Sequence, residues 1–281
     1  LRFRSTAGCV VNNCRFVNSG SSGVRFDLYS QNNSILNSSF NYLGGTGILF
    51  AGYGPGTKDV NKNNKIINNH IHHIGQLYWD SPGIFIWQSG GNQIRNNLLH
   101  HLPYNGIVIS TRGNWGNEKS EESIGTFRWD EIEDHERLGA EYDPASYTSW
   151  REREPYMHSR MNIVEKNELH NIVLKLNDGN PFYISGTGKG NIIRENYIHD
   201  CFSLGIDAAI RCDNDQHETY IEKNIIHRTR GSGICSKGKN YIVNNLLVDI
   251  LPAGHTRGYL SQEESGKGSV LKRNIFYSRV E

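Results

Sequence analysis

The sequence lacks the features that would place it in a familiar class, and each gap excludes something. Its five cysteines are odd in number and form no C-x-x-C pair. A zinc knuckle or a disulfide framework is therefore not expected; isolated thiols, most of them packed in a core, are. No apolar run approaches the ~18 residues that a membrane-spanning helix needs. Charge is balanced, with 30 Lys and Arg against 29 Asp and Glu for a net +1, and no basic block stands out. Nothing here suggests nucleic acid. No leader pattern is visible, and the chain begins and ends inside a repeating pattern, so it reads as a piece of something longer. Its 281 residues suit one large domain or two ordinary ones.

What the sequence does have is a repeat. NNKIINNHIHH (63–73), GNQIRNNLLHH (91–101), MNIVEKNELHN (161–171), GNIIRENYIHD (190–200), ETYIEKNIIHR (218–228), KNYIVNNLLVD (239–249) and GSVLKRNIFYS (268–278) share one pattern. An apolar residue is followed after two positions by Asn, then after one position by another apolar residue. Weaker copies precede them. The register positions are 14, 38, 69, 97, 167, 196, 224, 245 and 274, with steps of 24, 31, 28, 70, 29, 28, 21 and 29. A second strand follows most copies, as in GIFIW (83–87), GIVIS (106–110), PFYIS (181–185) and AIRCD (209–213). Its apolar residues alternate, the mark of a strand with one buried face.

Strands this short cannot each bury a core, but stacked coils can. The expected fold is all-β: a single-stranded right-handed parallel β-helix solenoid with one long loop insertion, each coil about 4.8 Å above the last. The register Asn is expected in a tight turn, in left-handed geometry, forming an amide ladder. His72, His100, His170, His199 and His227 share a register three residues later and are expected to stack as a structural feature, not to bind metal. The step of 70 breaks the period. It leaves a charged insertion at 113–160 that carries Trp115, Trp129 and Trp150 and is expected to line a cleft; coils occupy 1–112 and 161–281. Loops of this length are functional or disordered, and the aromatic content argues against disorder. A smaller insertion, GQLYWDS (75–81), interrupts an earlier coil.

Aligning the second strands turns Ile84, Ile107, Phe182, Ile210 and Ile234 inward. Trp87, Tyr183, Arg211, Asp213 and Lys237 then share one outer face, where aromatic rings stand beside charges as a sugar-binding cleft requires. Asp178 precedes its strand by four residues and Asp207 precedes its own by three. Asp178 and Asp207 sit on neighbouring coils at similar height. Asp213 lies about 20 Å along a straight strand from the level of Asp178, so the two act together only if the chain bends at Gly179-Asn180-Pro181. Asp178, Asp213 and Asp207 are the candidate catalytic carboxylates. Trp87, Tyr183, Arg211, His217, Lys237 and Asp215 are the candidate substrate contacts. The loop GTGKG (186–190) lacks the spacing of a phosphate loop and reads as a turn.

The N-x-I-x-x-N-x-I-H coils, together with DGN-x-x-Y-I-S-G-x-G-x-G-N (178–191) and A-A-I-R-x-D-N-D-Q-H (208–217), resemble the pectate-lyase-like right-handed β-helix carbohydrate enzymes. Within these the chain is most similar to β-helix glycoside hydrolases such as glycoside hydrolase family 141, which includes fucosidase and xylanase activities. The resemblance implies a catalytic pair of Asp on nearby coils, best matched by Asp178 and Asp213. The family's usual G-I-Y-L-D-[DE] is A-I-R-C-D-N here, with Arg211 and Asn214 as departures.

Three functions fit. The first is hydrolysis of a glycosidic bond in a plant or algal polysaccharide by an aspartate pair. The second is a polysaccharide lyase or epimerase acting on uronate polymers. Lys237, Arg211 and His217 would then serve as base and neutralising groups, with calcium held by Asp213 and Asp215. The third is a non-catalytic carbohydrate-binding or tailspike-like β-helix. No metal and no cofactor are expected, calcium excepted if the chain is a lyase. The expected partner is a poly- or oligosaccharide, with no nucleic acid and no membrane. The expected state is a monomer joined to further domains, in an extracellular or periplasmic setting.

Overall fold

The computed structural model describes residues 1–111, 126–251, 258–262 and 267–279. Trp115 and the start of the insertion lie outside the described residues. The chain winds as a right-handed parallel β-helix whose strands form three parallel sheets. Each repeat holds three strands, one more than the sequence pattern suggests. In one coil these are Lys65–Ile67, His70–His72 and Ile84–Trp87, which belong to the second, third and first sheets in turn. The N-x-I-x-x-N-x-I-H motif therefore turns a corner at its centre.

Registers run unbroken from coil to coil. Ile48, Ile84, Ile107, Phe182, Ile210 and Ile234 are aligned across the first sheet and point into the helix. Ile66, Ile94, Val164 and Ile193 do the same from the second sheet, and Ile71, Leu99, Leu169 and Ile198 from the third. All are fully buried in one continuous core. Each such side chain contributes about 1.5–3 kcal/mol by leaving water. That is how a chain of mostly three- to five-residue strands holds together.

Asparagine does its work one step away from the expected place. The residue in left-handed geometry at the corner is the one before the register Asn: Asn68, Asn96, Lys166, Glu195, Lys223, Asn244 and Arg273 all have positive φ. The register Asn instead points inward. Asn69 donates to Asn97 at 3.0 Å, Asn97 to Asn167 at 2.9 Å, and the ladder continues through Asn196, Asn224 and Asn245 to Asn274. Each carboxamide also caps backbone groups. Asn167, for example, donates to the Ile94 carbonyl at 3.0 Å and accepts the Asn97 N–H at 3.0 Å. A buried amide survives only with its partners supplied, and here the neighbouring coil supplies them. A second ladder, Asn33–Asn64–Asn92–Asn162–Asn191, fills the corner between first and second sheets through backbone N–H to side-chain oxygen bonds of 2.9–3.1 Å.

The described part of the insertion is helical, with α1 (His135–Ala140) and α2 (Tyr147–Arg153) flanked by short 3-10 turns. Ile132, Leu138, Trp150 and Met157 form its own small core. The insertion docks on the first sheet beyond the strand ends. The Trp150 indole N–H donates to the Thr187 carbonyl at 2.9 Å, and the Asp215 N–H donates to the Pro144 carbonyl at 2.8 Å. The five cysteines are free thiols; Cys201, Cys212 and Cys235 are buried. Among the described residues, no helix is long and apolar enough to cross a membrane.

Candidate active site

The outward residues of the first sheet form one aligned row: Arg25, Leu49, Phe85, Val108, Tyr183 and Arg211. Leu49, Phe85, Trp87 and Val108 pack together with Phe127 and Tyr183 into an apolar slab outside the helix. Above this slab lies a cavity of about 410 Å³. Phe85, Trp87, Tyr104 and Tyr183 supply rings to its walls, and Asp80, Asp178, Asp213 and Arg211 supply charge.

Asp178 and Asp213 thus share one cavity, despite the strand length between their levels. The main bend lies one step earlier than the expected Gly179-Asn180-Pro181. Asp178 takes a left-handed backbone with φ 55°, and the chain bends at Asn177-Asp178 and again at Pro181, on either side of the Gly179 bridge. Two side-chain oxygens hold the turn. Asn105 accepts the Asn180 N–H at 2.6 Å, and Asn180 accepts the Ala208 N–H at 3.0 Å. The Tyr104 hydroxyl donates to the Asp178 carbonyl at 3.0 Å. The Asp178 side chain is exposed and makes no ion pair among the described residues.

Asp213 is buried and heavily supported. Lys237 Nζ lies 2.8 Å from it, Arg211 3.6 Å, and the Tyr183 hydroxyl donates to it at 2.8 Å. Burial alone would raise its carboxyl. The Lys237 ammonium, the Arg211 guanidinium and the Tyr183 hydroxyl outweigh burial and hold it below the ordinary carboxylate range. Asp213 is therefore a fixed negative charge near neutral pH. Lys237 acts from behind that carboxylate, in contact with it and outside the cavity wall.

Asp207 does not reach the cavity wall; its carboxylate pairs with Arg211. It stands opposite Asn180, not Asp178, because the Gly179 and Ile206 backbones pair. Asp215 and His217, expected to contact sugar, lie elsewhere. Asp215 is 3% exposed and takes two bonds from Arg153 of α2, at 2.5 and 3.3 Å. His217 is 1% exposed and packs 5.2 Å from the Tyr147 and Trp150 rings. Its Nδ1 accepts the Lys239 N–H at 2.8 Å, and burial above all lowers it to about 4, so it is neutral. Both residues fasten the insertion to the helix.

Each carboxylate of the pair expected to hold calcium in a lyase has cationic partners of its own, Arg153 at Asp215 and Lys237 and Arg211 at Asp213. Among the described residues, no group of three or more His, Cys, Asp or Glu side chains is placed to hold a metal ion. No described residue of the insertion, which was expected to line a cleft, is part of the cavity wall; it touches that wall from behind, where the Trp87 indole N–H, 2% exposed, donates to the Thr126 hydroxyl at 3.3 Å.

Asp80 was missed from the sequence. It sits four residues before Ile84, the same offset that Asp178 has from Phe182, and these two strands are aligned through Ile107. That equal offset was the available signal, hidden because residues 75–81 interrupt the repeat.

The family described as a right-handed β-helix region matches residues 1–124 and 156–279. No curated protein matches the sequence. Among solved structures, a glycoside hydrolase aligns with 100% of this chain at 14% identity and a TM-score of 0.56, and the chain spans 38% of that protein's length. An alginate lyase from Paenibacillus sp. str. FPU-7 is similar over 99% of this chain and 88% of its own, at 10% identity and a TM-score of 0.48. The Streptococcus pneumoniae surface protein and adhesin PfbA is similar over 98% of this chain and 66% of its own, at 12% identity and a TM-score of 0.45.

Proposed function

The chain belongs to the family of right-handed β-helix regions, and from that premise we propose that it is a glycoside hydrolase whose aspartate pair is Asp178 and Asp213. The observation that carries this reading is the convergence of the two carboxylates in one aromatic-floored cavity, one exposed and one locked in its charged form. Glycoside hydrolysis asks for two carboxylates flanking the scissile bond, one acting as acid and the other anionic. Asp178 donates a proton to the leaving oxygen as the glycosidic bond breaks. Asp213 stays anionic and faces the positive charge that develops at the anomeric carbon. It then either bonds that carbon or takes the proton of the attacking water. Tyr104 and Tyr183, the half-buried rings of the wall, offer apolar surface to the sugar faces, with the buried Phe85 and Trp87 packed beneath.

The wall charge supports a neutral glycan over a polyuronate. Three carboxylates and one guanidinium line the cavity, a surface that repels an anionic chain. The likeness of residues 178–191 and 208–217 to glycoside hydrolase family 141 agrees with this reading, which requires no cofactor. The partner is a plant or algal poly- or oligosaccharide outside the cell.

The test is incubation with a panel of neutral plant and algal glycans and, in parallel, with polyuronates. The expected result is new reducing ends from a neutral glycan with no ultraviolet-absorbing product. An unsaturated, absorbing product from a polyuronate would overturn the hydrolase in favour of the lyase. Glycan binding without any cleavage across the panel would leave a binding module.

A further inference from the structure

We propose that residues 75–81 build a remote subsite, with Tyr78 as its platform, which selects for chain length. This rests on the glycan reading above and extends it to a second place on the molecule.

A second cavity, of about 240 Å³, lies beside the first. Ser22, Arg25, Thr46, Leu49, Tyr78 and Asp80 are among its lining. Asp80 also lines the first cavity, so the two meet at this one carboxylate. Both cavities sit on the same outward row, from Arg25 through Leu49, Phe85, Val108 and Tyr183 to Arg211. That row crosses five coil steps, about 24 Å. Asp213 stands at one end of it and Tyr78 toward the other. A single sugar fills neither the row nor both cavities; several units joined in a chain do.

The subsite is built, not incidental. Tyr78 is 59% exposed, yet its backbone is anchored. Four consecutive N–H groups, Gly75, Gln76, Leu77 and Tyr78, donate to the carbonyls of Gly45, Leu43, Gly44 and Gly44 at 2.8–3.2 Å. Gly44 in turn lies so close to the coil before it that a Cβ would meet the Gly20 carbonyl oxygen at 2.5 Å. The loop therefore rests on two earlier coils, and the phenol is presented at a fixed height. An exposed ring on an anchored backbone, with a carboxylate two residues on, is a platform for a pyranose face and its hydroxyls.

The experiment uses the Asp213→Asn protein, so that ligands survive, and measures affinity for oligosaccharides of the neutral glycan in the panel that this protein binds most tightly, from disaccharide to hexasaccharide. Affinity is expected to rise with each unit until both cavities are spanned. Tyr78→Ala in the same background is expected to stop that rise early and weaken the longest ligand about tenfold. Ser22→Trp, which fills the second cavity from its opposite wall, is expected to do the same. Affinity independent of length, or an undiminished rise in both variants, would overturn the proposal. Cleavage by the unsubstituted chain is scored separately. Length-dependent binding that Tyr78→Ala abolishes supports the subsite even if no glycan in the panel is cut.

Discussion

Two outward rows of this helix have the same backbone and the same coil spacing, yet opposite character. On the third sheet His72, His100, His170, His199 and His227 occupy one register. Successive rings among the first four stack at 4.8–5.1 Å. On the first sheet the row reads Arg, Leu, Phe, Val, Tyr, Arg, with no residue type repeated between neighbours. The repeated row stabilises the stack, because each ring finds its like above and below. The unrepeated row carries the cavity. In a solenoid, every coil offers the same geometry, so a site shows itself as the place where the side chains stop agreeing.

The largest test of that contrast is Asp213→Asn. It is expected to lower kcat about a thousandfold while far-ultraviolet circular dichroism stays that of the folded chain. Asn167→Ala should do the reverse. It removes the side-chain partners of the Ile94 carbonyl and the Asn97 N–H inside the core, at a cost of about 3 kcal/mol. Urea unfolding measures that loss, and kcat below the melting range should be close to the parent value. A large drop in kcat from a still-folded Asn167→Ala would blur the distinction between scaffold and site.

The smallest effect is titration of the histidine row. Burial first, then repulsion by neighbouring imidazoles, lowers His72 to about 4 and His100 to about 3. His70, His73, His101 and His170 are the imidazoles that face these two, and Tyr42 packs against His72 and His73. The unfolded chain takes up protons near the ordinary value of about 6.5, while the folded rings remain neutral. Stability is therefore lost as pH falls from about 6.5 toward 3. The rings are partly exposed and solvent screens them, so the loss is modest. Urea midpoints at neutral and mildly acidic pH measure it. His100→Gln should narrow the gap between them; an unchanged gap would remove the row from the account.

The fold was legible because its cause repeats. Apolar residues and Asn return every coil, and the inward set from Ile84 to Ile234 follows from alternation alone. The third strand was not legible, since the corner inside each motif is made by Asn in two coils and by Lys166 and Glu195 in the next two, which share a backbone shape and no chemistry. The candidate site was half legible. Asp178, Asp213, Tyr183 and Arg211 came from strand alignment. Asp215 and His217 were misplaced because the helices that bury them belong to the insertion, and where an insertion docks is not written in a coil repeat.

The bond between Asn97 and Asn167 joins adjacent coils across 70 residues of chain, where other joints in the ladder span 21 to 29. Closing that longer loop costs only about 0.8 kcal/mol more than closing one of 28, which the native state absorbs easily. For the order of assembly it matters more. Coils add to a growing stack by contact with the last one, and each addition elsewhere waits on a short segment. At this joint the chain must first bring home a distant stretch. Each side of the joint holds a run of short-range steps of its own, so assembly can begin on either side of it.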